Sequence, residues 1–160
     1  MGRYFGSCHC GGVAICFESE KKPEEMRVGR CGCSFCRRHG ARTMGDPAGS
    51  VEFRCQPGAL SRYRFGLGIT DYLLCVHCGT YVGAVMPDEG SAIGIVNVNA
   101  LDIRDTFDPA PALHHYEGED EAGRRQRRAR DRGIVKEGER LSDDEILELL
   151  FAPGFSTAET

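Results

Sequence analysis

Apolar and polar positions alternate in short runs along roughly the first hundred residues, the pattern of strands rather than long helices. Val13-Ala14-Ile15-Cys16-Phe17 follows Gly11-Gly12 and precedes a charged stretch, which predicts a short strand leaving a tight turn. Residues 51–55, Val-Glu-Phe-Arg-Cys, keep a strict period of two and read as a half-buried strand. After the Pro57-Gly58 turn, residues 60–65 and 71–74 predict two more strands, the second delivering the chain into a cysteine cluster. Residues 81–86 and 92–101 are apolar runs bounded by turn formers, and their length suits buried strands better than helices. Between these, residues 18–25, with Pro23, predict an exposed charged loop, and residues 42–50 a turn-rich one.

Beyond residue 101 the pattern changes. Asp108-Pro109-Ala110-Pro111 interrupts regular structure, and residues 118–133 are almost wholly charged or small. Ser142-Asp143-Asp144-Glu145 is a capping box opening a helix whose apolar residues run from Ile146 to Phe151, and Pro153-Gly154 ends it. Its apolar face is expected to pack on its own domain. The predicted organisation is a mainly β domain over 1–118, then a charged linker and short C-terminal helix over 119–160.

The chain has 160 residues, enough for one domain with a modest core that a bound metal would strengthen. No stretch approaches the roughly 20 apolar residues that span a bilayer, and the amino terminus lacks the order of a secretory signal, so a cytoplasmic protein without membrane attachment is expected. In that reducing setting an odd number of cysteines, nine, favours metal ligation over disulfides. A net charge of −4 gives no global reason to bind nucleic acid.

Seven of the nine cysteines form three clusters: Cys8-His9-Cys10, Cys31-Gly32-Cys33-Ser34-Phe35-Cys36 and Cys75-Val76-His77-Cys78. Two intervening residues let a knuckle aim both sulfurs of Cys75 and Cys78 at one ion, and Cys8 and Cys10 can chelate if His9 turns away. Together these two clusters make a closed four-sulfur site, a staple. Cys31, Cys33 and Cys36 supply three thiolates and leave a fourth position to water, a substrate thiolate or a side chain. Either His39 or Cys55 would close that site, and Cys33 and Cys36 are alternatively a redox pair. Cys16 and Cys55, within strand-like runs, are expected to be small buried residues, whereas His9 and His77 are expected to be exposed or to support the sulfurs.

The order, spacing and flanks of these motifs resemble the glutathione-dependent formaldehyde-activating family, which includes centromere protein V. The resemblance lies in Gly6-Ser7-Cys8-His9-Cys10-Gly11-Gly12-Val13, in Cys31 to Arg38 followed by Gly40-Ala41, and in Cys75-Val76-His77-Cys78-Gly79-Thr80. It implies an Mss4-like fold of small antiparallel sheets, a structural zinc on Cys8, Cys10, Cys75 and Cys78, and a catalytic zinc on Cys31, Cys33 and Cys36. The implied activity joins glutathione to formaldehyde as S-(hydroxymethyl)glutathione, a carbon–sulfur lyase reaction. A histidine common in the family between the first two cysteines of the middle motif is Gly32 here, and Leu113-His114-His115-Tyr116 stands where the family often has a histidine followed by a tryptophan.

An open zinc position would accept a substrate thiolate or an aldehyde oxygen, and small-molecule thiol and aldehyde partners follow. His39 is the nearest residue of a type that exchanges protons around neutrality. The loops 42–50 and 114–118 are expected to wall the substrate pocket. A rival reading is a zinc-stapled binding module, for which Arg124, Arg125, Arg127, Arg128, Arg130 and Arg132 would make the contact; Glu117, Glu119, Asp120 and Glu121 precede that run and favour an exposed helix or loop over a nucleic-acid site. A third is the same scaffold acting on another thiol adduct or electrophile. The terminal helix is also an element that subunits can exchange, which leaves a homo-oligomer open.

Overall fold

The computed structural model describes residues 1–88 and 91–131. Two antiparallel sheets face each other across the core. The smaller is β1 (Gly2–Ser7), β2 (Val13–Ser19) and β5 (Ser50–Cys55), with β2 in the middle. The larger has the order β4 (Thr43–Met44), β9 (Ser91–Asn97), β8 (Tyr81–Asp88), β7 (Asp71–Cys75) and β6 (Leu60–Tyr63). A third, two-stranded piece pairs β3 (Arg30–Cys31) with β10 (Leu113–His114), and this pairing is parallel. The mainly β architecture is as the alternation predicted, and the small antiparallel sheets are as the family resemblance implied.

Period-two patterning decides which side chains meet. Along β2, Val13, Ile15 and Phe17 are buried, and they join Leu73, Val82, Val96, Val98 and Leu101 in the main core. The sheets approach closely because β8 and β9 offer glycines beneath the β5 side chains. A Cβ on Gly83 would lie 2.6 Å from the Phe53 ring, and one on Gly94 2.3 Å from Val51 Cγ1. Neither position has room for a larger residue without moving the sheets apart.

Several expectations need correction. The run 92–101 is not one strand: β9 stops at Asn97, whose side chain accepts from Asn99 N–H at 3.3 Å and donates to Tyr81 O at 2.8 Å, capping the 3-10 turn Val98–Ala100. Cys16 points away from the core, being out of phase with Val13, Ile15 and Phe17, and is only half-buried. Cys55 is exposed, because it is the last residue of β5, where the overlying sheet has ended. The stretch 18–25 begins as the end of β2 and closes in a 3-10 turn, Pro23–Glu25. The strand β1 carried too little alternation to be read from sequence. Residues 121–131, read as linker, form helix α2 (Glu121–Asp131). The helix expected from Ser142 lies outside the described residues. Among the described residues no helix is long and apolar enough to cross a membrane.

Candidate metal centres and the groove beside the second

The first cysteine site joins two hairpin tips. β1 and β2 pair from Gly2↔Ser19 to Ser7↔Ala14, leaving Cys8 and Cys10 in the connecting turn. β7 and β8 pair up to Leu74↔Tyr81, and Cys75 and Cys78 occupy that turn. Thr80 links the tips: its Oγ1 accepts from His9 N–H at 3.3 Å and lies 3.2 Å from Cys78 Sγ. That contact, first among several, pulls the Cys78 thiol down to about 5. The N–H of Val13 donates to Cys8 Sγ at 3.2 Å. All four sulfurs lie within 4.8 Å of one another.

The donor set fits zinc. Zinc–sulfur bonds of about 2.3 Å at tetrahedral angles put neighbouring sulfurs roughly 3.8 Å apart. Here Cys8 and Cys10 sulfurs are 3.7 Å apart, and those of Cys10 and Cys75 3.6 Å. His9 and His77 are both exposed, as expected for residues that turn away from a sulfur site.

The middle cluster is built differently. Cys31 ends β3, and Cys33 caps the one-turn helix α1 (Ser34–Arg38), its sulfur accepting from Cys36 N–H at 3.4 Å. This is a helix start, not a hairpin knuckle, because after Gly32 the chain must turn sharply to bring Cys36 back toward Cys31. The sulfurs of Cys31, Cys33 and Cys36 also lie within 4.8 Å of one another. Among the described residues no fourth histidine, cysteine or carboxylate completes this group. Cys55 is remote on β5, and the His39 ring instead packs on Phe35 at 4.5 Å and Tyr81 at 5.7 Å. The Cys31 thiol is pulled down to about 5, first by the hydrogen bond from Cys36; burial opposes this, and Arg127 is among the smaller causes. Cys36, donating that bond, is pushed up. Such sharing of protons among converging thiols is what a soft cation would replace.

A groove of about 1260 Å³ opens on this triad. Both loops expected to wall it do so, residues 43–47 with 49–50 on one side and His114 with 116–118 on the other. β10 brings the second wall in: His114 pairs with Cys31, and Gly32 N–H donates to His114 O at 2.7 Å. A Cβ on Gly32 would come 2.5 Å from His115 Nδ1, so the space a side chain at 32 would start from is taken by the His115 ring.

Phe65, Tyr72 and Tyr81 give the groove an aromatic floor, and all three pack on Phe35, which does not itself line it. Phe35 packs on Tyr63 (5.7 Å), Phe65 (5.4 Å), Tyr72 (4.8 Å) and Tyr81 (5.1 Å). Burial pushes the Tyr72 hydroxyl up to about 12 and that of Tyr81 well above its ordinary value, so both keep their protons. Tyr81 Oη is buried with no hydrogen-bond partner among the described residues. These aromatics were not read from sequence as site residues; Phe35, between two cysteines, was the available signal.

The loop bearing Phe65 is held by Arg64, which donates to Asp71 through Nε at 2.5 Å and Nη2 at 3.1 Å. That pairing lowers the Asp71 carboxyl. A depressed carboxyl stabilises the fold above its unfolded value, about 3.9, and the benefit is lost as pH falls through the folded value. Asp71→Asn is therefore expected to cost about 1 kcal/mol at pH 7, given the exposed arginine, and progressively less as pH falls below the unfolded value, measured by urea unfolding.

With the geometry in place, comparison with known proteins identifies the scaffold. The family model described as glutathione-dependent formaldehyde-activating enzyme matches residues 3–118. The chain belongs to that family. The solved structure of a Rhodobacter sphaeroides protein is 29% identical, with a TM-score of 0.51, the match covering 69% of this chain and 99% of that one. No curated protein matches. Membership of the formaldehyde-activating family gives a glutathione- and formaldehyde-related activity at family level, and both cysteine groups suit metal ions.

At Arg124 and Arg127 the arginine run turns to an acidic partner instead of forming a free basic surface. Arg127 donates to Glu119 at 2.9 and 3.0 Å, and Arg124 to the same carboxylate at 3.4 Å. Both line the cysteine groove.

Proposed function

We propose that this chain catalyses reversible joining of a thiol to a small aldehyde, of the glutathione and formaldehyde type, with Cys31, Cys33 and Cys36 as the catalytic metal-binding residues and Cys8, Cys10, Cys75 and Cys78 as a structural site. In the reaction a carbon–sulfur bond forms, the carbonyl π bond opens to a hydroxyl, and the thiol proton ends on oxygen. The single observation that carries the reading is the three-sulfur group, open to a groove, with no fourth protein donor among the described residues.

Zinc held by those three thiolates would supply Lewis acidity and a position for an incoming ligand. The chain's own groups do the rest. The floor of Phe65, Tyr72 and Tyr81 limits water at the triad and so favours condensation over hydration of the aldehyde. Tyr72 lines the groove and keeps its proton, so it meets an electron-rich oxygen as a donor rather than a base. His114, whose backbone pairs with that of Cys31 and which lines the groove, is the residue we assign to take the thiol proton and return it to oxygen.

The test is NMR exchange of ¹³C-formaldehyde with S-(hydroxymethyl)glutathione, together with metal content per chain. Exchange faster than in buffer, with two zinc ions bound, is the expected result. Exchange at the buffer rate with metal-replete protein would overturn the proposal.

A further inference from the structure

The cysteine groove is far larger than formaldehyde requires. Its volume, about 1260 Å³, exceeds the roughly 300–1,000 Å³ of most small-molecule sites, while formaldehyde is a carbonyl that bears only hydrogen. Strand register shows where the extra space lies. Tyr72 pairs with Ala84 and Ala84 with Ile95, a row across β7, β8 and β9. All three belong to one cluster with Cys31, Cys33 and Cys36. Ile93 comes two residues from Ile95, so it takes the same face roughly 7 Å farther along β9, where it pairs with Met86. Both isoleucines line the groove, which therefore continues from the triad along β9.

This stretch is apolar. None of the residues that β7, β8 and β9 contribute to the groove is charged, and Ile93 and Ile95 are half-buried. The loop between β6 and β7 adds Phe65 and Leu67, and Leu67 is 39% exposed. After β4 the wall is backbone: a Cβ on Gly45 would lie 3.3 Å from Ile95 Cγ2. The charged groups that reach this end are paired or exposed: Asp46 accepts from Ser19 and Lys21, Glu25 from Lys22 N–H, and Arg27 is exposed. Contiguous apolar side chains left open inside a groove suit an apolar ligand. The wall across the triad is polar instead, with His114, Tyr116, Glu117 and Glu119. Glutathione, a charged peptide, would lose hydration without compensation on the β9 side, which leaves that side to the carbonyl partner.

We propose that the stretch floored by Ile95 and Ile93 holds an apolar substituent on the carbonyl substrate, so that this chain favours aldehydes with an aliphatic chain over those without one. The inference rests on the condensation reading for the reaction and names its electrophile. The chemistry is the same addition: a carbon–sulfur bond forms at the carbonyl carbon, the π bond opens, and the thiol proton ends on oxygen. Ile93 sets specificity by touching the chain of the aldehyde, away from the reacting atoms.

The test uses the full-length zinc-loaded protein and the unbranched amides from propanamide to hexanamide, carbonyl compounds that do not condense with thiols. Binding is followed by NMR of the isoleucine methyl groups. Each added methylene is expected to tighten binding about threefold, with shifts at the Ile93 and Ile95 methyls. Ile93→Asn should flatten the series. If that variant loses its fold by circular dichroism, Ile93→Thr, which keeps the β-branch that suits a strand, should still cut the hexanamide-to-propanamide ratio severalfold. In turnover with glutathione, kcat/KM is expected to be at least about tenfold higher for hexanal than for acetaldehyde. Affinity that does not change with chain length, no binding of any amide, a chain-length dependence that survives Ile93→Asn, or catalysed exchange no faster with hexanal would each overturn the proposal. Because the amides do not react, a steep series without any thiol–aldehyde exchange would defeat the condensation reading and leave the apolar site standing; formaldehyde exchange with a flat series would defeat this inference alone.

Discussion

Cys75→Ser is expected to unfold most of the chain at 25 °C, as is removal of metal with a strong chelator. Cys8 and Cys75 are each 1% exposed and belong to the main core, so the four-sulfur site is continuous with the packing of both sheets. It joins two hairpin tips that are otherwise held by few bonds, among them those through Thr80. A structural zinc of this kind contributes on the order of 10–16 kcal/mol of apparent binding energy, against a total stability of about 5–15 kcal/mol for a domain. Losing one of four ligands forfeits much of that and leaves the remaining thiolates crowded. Far-UV circular dichroism and urea titration, with and without added zinc, check this; a variant as stable as the parent would show that packing alone holds the tips together.

Cys36→Ser should behave in the opposite way, keeping the fold and losing the reaction. Its sulfur sits in the smaller cluster with Ala41, Tyr81 and Ala84, away from the main core, and serine is close in size. Loss of one of three thiolates is expected to lower kcat/KM for thiol–formaldehyde condensation at least about a hundredfold, or roughly 2.7 kcal/mol of transition-state stabilisation. The matched control is Cys55→Ser, an exposed residue of β5 that belongs to neither sulfur group. Stability within error of the parent and a hundredfold loss in only the first variant is the expected outcome. Equal rates would remove Cys36 from the chemistry.

Both cysteine groups were legible because thiol spacing is a local property: two residues between Cys75 and Cys78 make a turn that aims two sulfurs together whatever surrounds it. The strands were legible where alternation was strict, as in residues 13–17 and 51–55. The run 92–101 misled because its end depends on what the Asn97 side chain bonds to, Tyr81 O across the sheet, and apolar periodicity carries no trace of that. Cys55 misled for a related reason. A strand pattern says which face a residue takes but not where the opposing sheet stops.

From sequence alone come the mainly β fold, the division of seven cysteines into four and three, and the family those motifs resemble. Only the tertiary structure could decide that no fourth side chain reaches the triad among the described residues, that Phe35 anchors an aromatic floor, and that two arginines from beyond residue 118 turn inward to Glu119. The division has a physical cause. A metal knuckle is specified by bond lengths over a few residues, whereas a groove is the space left between elements far apart in the chain, and its walls exist only once the core has set their positions.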